Sequence, residues 1–145
     1  MNILILCTGN SARSILAEAI FNQLGKGRIH AFSAGSKPTG TANPYALNLL
    51  KEKGYAIEHY RSKSWDEFAK ADAPKMDVVI TVCNNAANET CPIWPGAPIT
   101  LHWPFSDPAT ATGSNKDIAA AFDSVYQQIY DKAADYINTL FSEAS

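Results

Sequence analysis

This sequence is short of several things, and each shortage removes a class of function. No apolar run approaches the roughly 20 residues that a membrane-spanning helix needs, so no membrane partner is expected. Charged residues make up only 18% of the 145-residue chain, the formal net charge is -2, and no polybasic run is present. Nucleic acid and anionic membranes are therefore not expected partners, and any anion site must be local. The three histidines, His30, His59 and His102, are isolated, and neither a C-x2-C spacing nor a histidine pair occurs. Zinc is thus disfavoured, and no bound metal or cofactor is expected. The N-terminal residues show no basic segment leading to a cleavage site, so no signal peptide is expected. Cysteine is scarce and odd in number, which suits a reducing cytoplasm, where thiols serve catalysis or redox chemistry more often than structure.

What remains suits one globular domain, residues 1–145, with 46% hydrophobic residues to build a core. A monomer is the default expectation. The chain opens on an apolar run, Ile3–Leu6, that stops at Cys7. Thr8, Gly9, Asn10 and Ser11 are turn formers, Arg13 and Ser14 follow, and Ile15, Leu16, Ile20, Phe21 and Leu24 recur at helical spacing. The pattern predicts strand, tight loop and helix. A loop wound round a helix N-terminus aims backbone N–H groups at one spot, which attracts a tetrahedral oxyanion. Thr8, Gly9, Asn10, Ser11, Ala12 and Arg13 are the expected oxyanion cradle, with Arg13 adding a two-pronged clamp. The same field favours thiolate at Cys7, and a hydrogen bond from Ser14 would help. The alternative is that Cys7 is a small buried apolar residue at a strand end.

Further strands are expected at Arg28–Ser33, Met76–Val82 and Ile99–Trp103. Helices are expected over roughly Ala12–Leu24, from the Asn43-Pro44 cap to Gly54, from Ser64 through Phe68, and after Ser114. In the last of these Ile118, Phe122, Val125, Ile129, Ala133, Tyr136 and Leu140 form an apolar stripe. Trp65, Trp94 and Trp103 are read as packing residues. Alternation of strands and helices implies an α/β fold with a parallel sheet, whose ligand site lies at the carboxyl ends of the strands. Cys7, Cys83 and Asp107 all follow such ends and would gather on one rim. Asp107, before Pro108, is a candidate general acid, or else only the first residue of an Asp-Pro turn.

Cys83 and Cys91 are separated by a small polar segment rich in asparagine. In a rigid helix their Cα atoms would stand about 12 Å apart, well beyond the roughly 4.4–6.8 Å that a disulfide spans. They can pair only if the segment is a loop or unwinds; otherwise Cys83 is a buried strand-end residue and Cys91 an incidental thiol.

The stretches CTGNSARS (7–14), SAG (33–35), NPYALNLLKEKG (43–54), RSKSWDEF (61–68), VVITVCNNAANETCPIWPG (78–96) and DPA (107–109) resemble the thioredoxin-coupled arsenate reductases of the low-molecular-weight protein tyrosine phosphatase-like family. The resemblance covers nearly the whole chain. It implies a three-layer, doubly wound sheet of four parallel strands in the order 2-1-3-4, flanked by helices. It also implies arsenate as substrate, with phosphate or sulfate as analogues, and thioredoxin as external reductant. Cys7 would attack arsenic with Asp107 assisting, Cys83 would attack Cys7, and Cys91 would attack Cys83. The alternative within the same fold is a tyrosine phosphatase working through a phosphocysteine. Such enzymes usually carry a tyrosine where this chain has Ala109, and they are not expected to hold the cysteine pair. Some members bind potassium beside the loop through residues matched here by Asn10, Glu18 and Ser33. Lys63 falls near the expected position of a further acidic ligand and would replace the ion, or else is a solvated surface lysine.

Overall fold

In the computed structural model, residues 1–82 and 98–141 are described. Strand β1 (Asn2–Leu6) runs through the middle of the sheet, and its Ile3, Leu4, Ile5 and Leu6 are wholly buried. A strand covered on both faces must be apolar at successive positions, which is why it reads as a continuous run. β2 (His30–Ala34), β3 (Val78–Thr81) and β4 (Ile99–His102) complete a sheet in the order β2-β1-β3-β4, parallel throughout. This is the expected 2-1-3-4 order. Leu6 pairs with Ala34 and Thr81, and Thr81 with His102. The chain therefore leaves β1, β3 and β4 along one edge.

Alternation of side chains divides the core in two. Ile3, Ile5, Val78 and Ile80 face α1 (Arg13–Gly25), α2 (Pro44–Glu52) and the long C-terminal α4 (Asn115–Phe141). Leu4, Leu6 and Val79 face a smaller cluster with Trp65, Phe68 and Met76, on and beside the short α3 (Asp66–Ala69). α1 is buried at every position from Ser14 to Phe21, so it carries no polar stripe. It lies within the first layer, and an all-round buried helix needs none.

Element ends differ from expectation for local reasons. β2 begins at His30, not Arg28, because the Arg28 N–H bonds to the Gly25 carbonyl and finishes the α1 turn. Lys26 takes the left-handed conformation at the end of α1 (φ 48°), and Gly27 follows it with φ 84°. Ser114 opens α4 as expected: its Oγ accepts from Asp117 N at 3.2 Å, and Asp117 Oδ2 accepts from Ser114 N at 3.1 Å. That reciprocal pair satisfies two donors at the helix start. Within α4 the buried stripe is Phe122, Val125, Tyr126, Ile129, Ala133 and Ile137. Ile137 is buried, whereas Leu140 is only partly covered. Trp65 and Trp103 are buried packing residues, Trp103 stacking on Phe21 at 5.9 Å. Trp94 lies outside the described residues.

Candidate active site

Cys7 is the first residue beyond β1 and is 6% exposed. Its backbone N–H still reaches across to the Ala34 carbonyl at 3.2 Å, which fixes the point where strand becomes loop. The loop carbonyls are then taken up one by one. Thr8 O accepts from Lys37 N at 2.9 Å, Gly9 O from Thr39 N at 3.0 Å and Ser62 Oγ at 2.9 Å, and Ser11 O from Asn43 N at 2.8 Å. In a trans peptide the N–H points opposite to the C=O. Pinning these three carbonyls outward therefore turns the N–H groups of Gly9, Asn10 and Ala12 to the other side. The first turn of α1 contributes donors that have no intrahelical acceptor. Converging donors of this kind form an anion cradle.

Two residues make the wrap tight. Asn10 has φ 45°, a left-handed conformation that asparagine tolerates better than most residues. Gly35 lies against the loop so closely that a Cβ there would stand 2.4 Å from Thr8 O and 2.7 Å from Cys7 O. Nothing in the sequence signals this contact, since a glycine after a strand is common in any turn. Ser62 was missed altogether as a support of Gly9.

Arg13 opens α1, and its guanidinium is held from the far edge of the sheet. Nη1 donates to the Phe105 carbonyl at 2.9 Å, and Nη2 lies 3.5 Å from Asp107 Oδ2. The arginine side chain is 15% exposed and the aspartate 37%. Asp107 divides its two oxygens. Oδ1 accepts from Ala109 N at 2.9 Å and caps the 3-10 turn Pro108–Thr110, while Oδ2 faces Arg13. One side chain thus both caps the turn and faces the arginine of the loop. The chain brings Cys7, Arg13 and Asp107 to the carboxyl edge of the sheet, although Arg13 and Asp107 are 94 positions apart. Cys83 and Cys91 lie outside the described residues.

Beneath the loop is a buried polar layer. Asn10 Nδ2 donates to Ser14 Oγ at 2.8 Å, and Asn10 Oδ1 accepts the Lys63 N–H at 2.8 Å. Ser33 Oγ donates to Glu18 Oε1 at 2.5 Å, and Lys63 Nζ lies 3.8 Å from the same oxygen. Glu18 and Lys63 side chains are each 10% exposed. Burial pushes Glu18 above the usual carboxylate range, against the opposing pull of Lys63 and the Ser33 hydrogen bond. Burial likewise pushes Lys63 below the usual lysine range, against the attraction of Glu18. The oxygens that the resemblance would offer to a potassium ion are engaged: Asn10 Oδ1 by a backbone N–H, Glu18 by an ammonium and a hydroxyl. These residues do not fit a bound cation. Among the described residues no cluster of histidine, cysteine and acidic side chains is arranged to hold a metal.

A parallel sheet with a cysteine loop, an arginine and a partnering aspartate at one rim defines a phosphatase-like oxyanion fold. The chain belongs to the low molecular weight phosphotyrosine protein phosphatase family, whose model matches residues 2–145. Its relatives narrow the class. It is 35% identical to the arsenate reductase of Bacillus subtilis and 34% identical to that of Halalkalibacterium halodurans, in each case over 94% of this chain and 95% of the relative. A solved arsenate reductase in its phosphate-binding state superposes with a TM-score of 0.75 at 26% identity, covering 95% of this chain and 97% of the other.

Proposed function

We propose that this protein reduces arsenate to arsenite by a three-cysteine relay that thioredoxin regenerates. The observation that carries the reading is the Cys7 loop, whose Thr8, Gly9 and Ser11 carbonyls are held outward by neighbouring segments and whose clamp Arg13 is joined to Asp107. Similarity to arsenate reductases along almost the whole chain, together with Cys83 and Cys91 in the sequence, supports reduction over hydrolysis.

Arsenate enters the cradle formed by residues 8–13. Cys7 thiolate, helped by a hydrogen bond from the Ser14 hydroxyl, attacks arsenic in line; an S–As bond forms, and an oxygen leaves as water with a proton from Asp107. Cys83 thiolate then attacks the Cys7 sulfur. The S–S bond forms, the S–As bond breaks, and its electron pair remains on arsenic, which departs as arsenite. Cys91 attacks Cys83 and releases Cys7 as thiolate. The Cys83–Cys91 disulfide passes to thioredoxin, which is oxidised in turn. Phosphate and sulfate would bind as analogues, and no resident cofactor takes part. The reading also places the protein in the cytoplasm, as a monomer. No helix among the described residues is long and apolar enough to cross a membrane.

Phosphomonoester hydrolysis is the second reading, favoured by the loop, Arg13 and Asp107, which suffice for a weak phosphatase side activity. Serine variants separate the two. Cys83→Ser is expected to stop repeated arsenate turnover while sparing p-nitrophenyl phosphate hydrolysis, and Cys7→Ser is expected to stop both. Retention of repeated arsenate turnover by Cys83→Ser would remove the relay.

A further inference from the structure

The mechanism makes no use of the buried Glu18 and Lys63, yet both touch the loop's supports. The segment 61–65 is joined both to the loop and to Gly35, which packs against it. Lys63 O accepts from Gly35 N at 2.9 Å, Trp65 N donates to Gly35 O at 2.9 Å, and Ser62 Oγ donates to Gly9 O at 2.9 Å. The Lys63 N–H holds Asn10 Oδ1, the side chain of the one loop residue in a left-handed conformation. From the same residue, Nζ donates to Arg61 O at 3.1 Å and faces Glu18 on α1. One residue thus ties this segment to the loop through its backbone and to the helix behind the loop through its charge.

We infer that the Lys63 ammonium is a built-in cation that positions the oxyanion loop, so that the loop works without an alkali-metal ion and comes to need one only when Lys63 is removed. Around Nζ stand the Glu18 carboxylate and the Arg61 carbonyl, with the Ser33 hydroxyl bonded to the same carboxylate oxygen. All are oxygen donors, the kind that hard cations accept. While the ammonium is present it fills this place. Removing it leaves a buried carboxylate that must take up a proton or a cation, and a potassium ion satisfies the same oxygens. Lys63 is a positioning residue, acting on substrate through Asn10 and the loop. The inference rests on the proposed function only as far as the anion-binding loop.

The test measures how inorganic phosphate protects Cys7 of the full chain from iodoacetamide, read by peptide mass spectrometry, in tetramethylammonium or potassium salt. In the wild type the half-protecting phosphate concentration is expected to be the same in both salts. Lys63→Ala is expected to need roughly 10-fold more phosphate in tetramethylammonium, the usual scale for loss of a supporting contact, with potassium restoring most of it. The double variant Glu18→Gln with Lys63→Met, which has no charge to neutralise, is expected to ignore potassium and serves if Lys63→Ala does not fold. Potassium dependence of the wild type would overturn the inference. So would Lys63→Ala protection equal to wild type without potassium, a loss that potassium does not restore, or a potassium response of the double variant. Failure of phosphate to protect wild-type Cys7 in either salt would instead remove the oxyanion loop itself, and the proposed function with it.

Discussion

Asp107 shows how much one side chain can carry. Its Oδ1 caps the turn through Ala109 N, and its Oδ2 stands 3.5 Å from the arginine of the loop. Asparagine at this position keeps the capping oxygen and loses the acid. Asp107→Asn is therefore expected to lower arsenate reduction by about 10²–10⁴-fold, the usual contribution of a positioned acid. Its thermal stability should stay within about 0.5 kcal/mol of wild type, as for a surface substitution that spares the cap. Single-turnover arsenite release and a melting curve measure the two separately. Equal loss in both would reduce Asp107 to a turn residue. The sequence made Cys7, Arg13 and Asp107 legible because their chemistry depends on residue type and on a strand end, both of which can be read along a chain. Ser62 and the Phe105 carbonyl were not legible: a serine hydroxyl on a distant loop and a backbone oxygen leave no pattern, and only the fold brings them to Gly9 and Arg13.

At the scale of the element, the loop between β1 and α1 keeps its shape by what leans on it. Gly35 is the closest of these supports, and there is no room for a methyl group between it and two loop carbonyls. Gly35→Ala is expected to cost about 1–3 kcal/mol of stability, as overpacking does, and to weaken phosphate binding in parallel. Chemical denaturation beside phosphate titration measures it; an alanine variant with wild-type values in both would show that the loop is not held from this side. The buried pair beneath the loop behaves differently. Glu18 holds its proton more tightly in the folded chain, so between the ordinary carboxylate range and its raised value stability falls as pH rises. Lys63 holds its proton less tightly when folded, so between its lowered value and the ordinary lysine range stability rises with pH. The two together cost most between these windows. Removing both charges, by Glu18→Gln with Lys63→Met, is expected to be neutral or to stabilise by about 1–4 kcal/mol near pH 7, whereas Lys63→Met alone is expected to lose about 3–5 kcal/mol. Urea denaturation at pH 7 distinguishes these outcomes, and a double variant less stable than the single one would contradict the account of burial. The strands were easy to place in the sequence because β1 and β3 are buried on both faces. The start of β2 and the buried face of α4 were less so, since Arg28 is drawn into the α1 turn and the apolar stripe of α4 shifts along its 27 residues.

Across the whole molecule, the parallel order β2-β1-β3-β4 is what turns separate sequence features into one site. Central β1 delivers the thiol, α1 the arginine, and the segment after edge strand β4 the aspartate. The parallel sheet could be expected from the alternation of strands and helices, and the strand order from the resemblance of six stretches. The fate of the second and third thiols could not be read from spacing alone, because a helix keeps them apart and a loop does not. In the proposed relay, electrons reach arsenate through those thiols. The measurement that tests it most directly is NADPH oxidation with thioredoxin, thioredoxin reductase and arsenate, comparing the wild type with Cys91→Ser. Sustained, arsenate-dependent oxidation is expected of the wild type, and none beyond a single turnover of the variant. No oxidation with either thioredoxin or glutaredoxin and glutathione, from a protein that still hydrolyses p-nitrophenyl phosphate, would contradict it and leave a phosphatase.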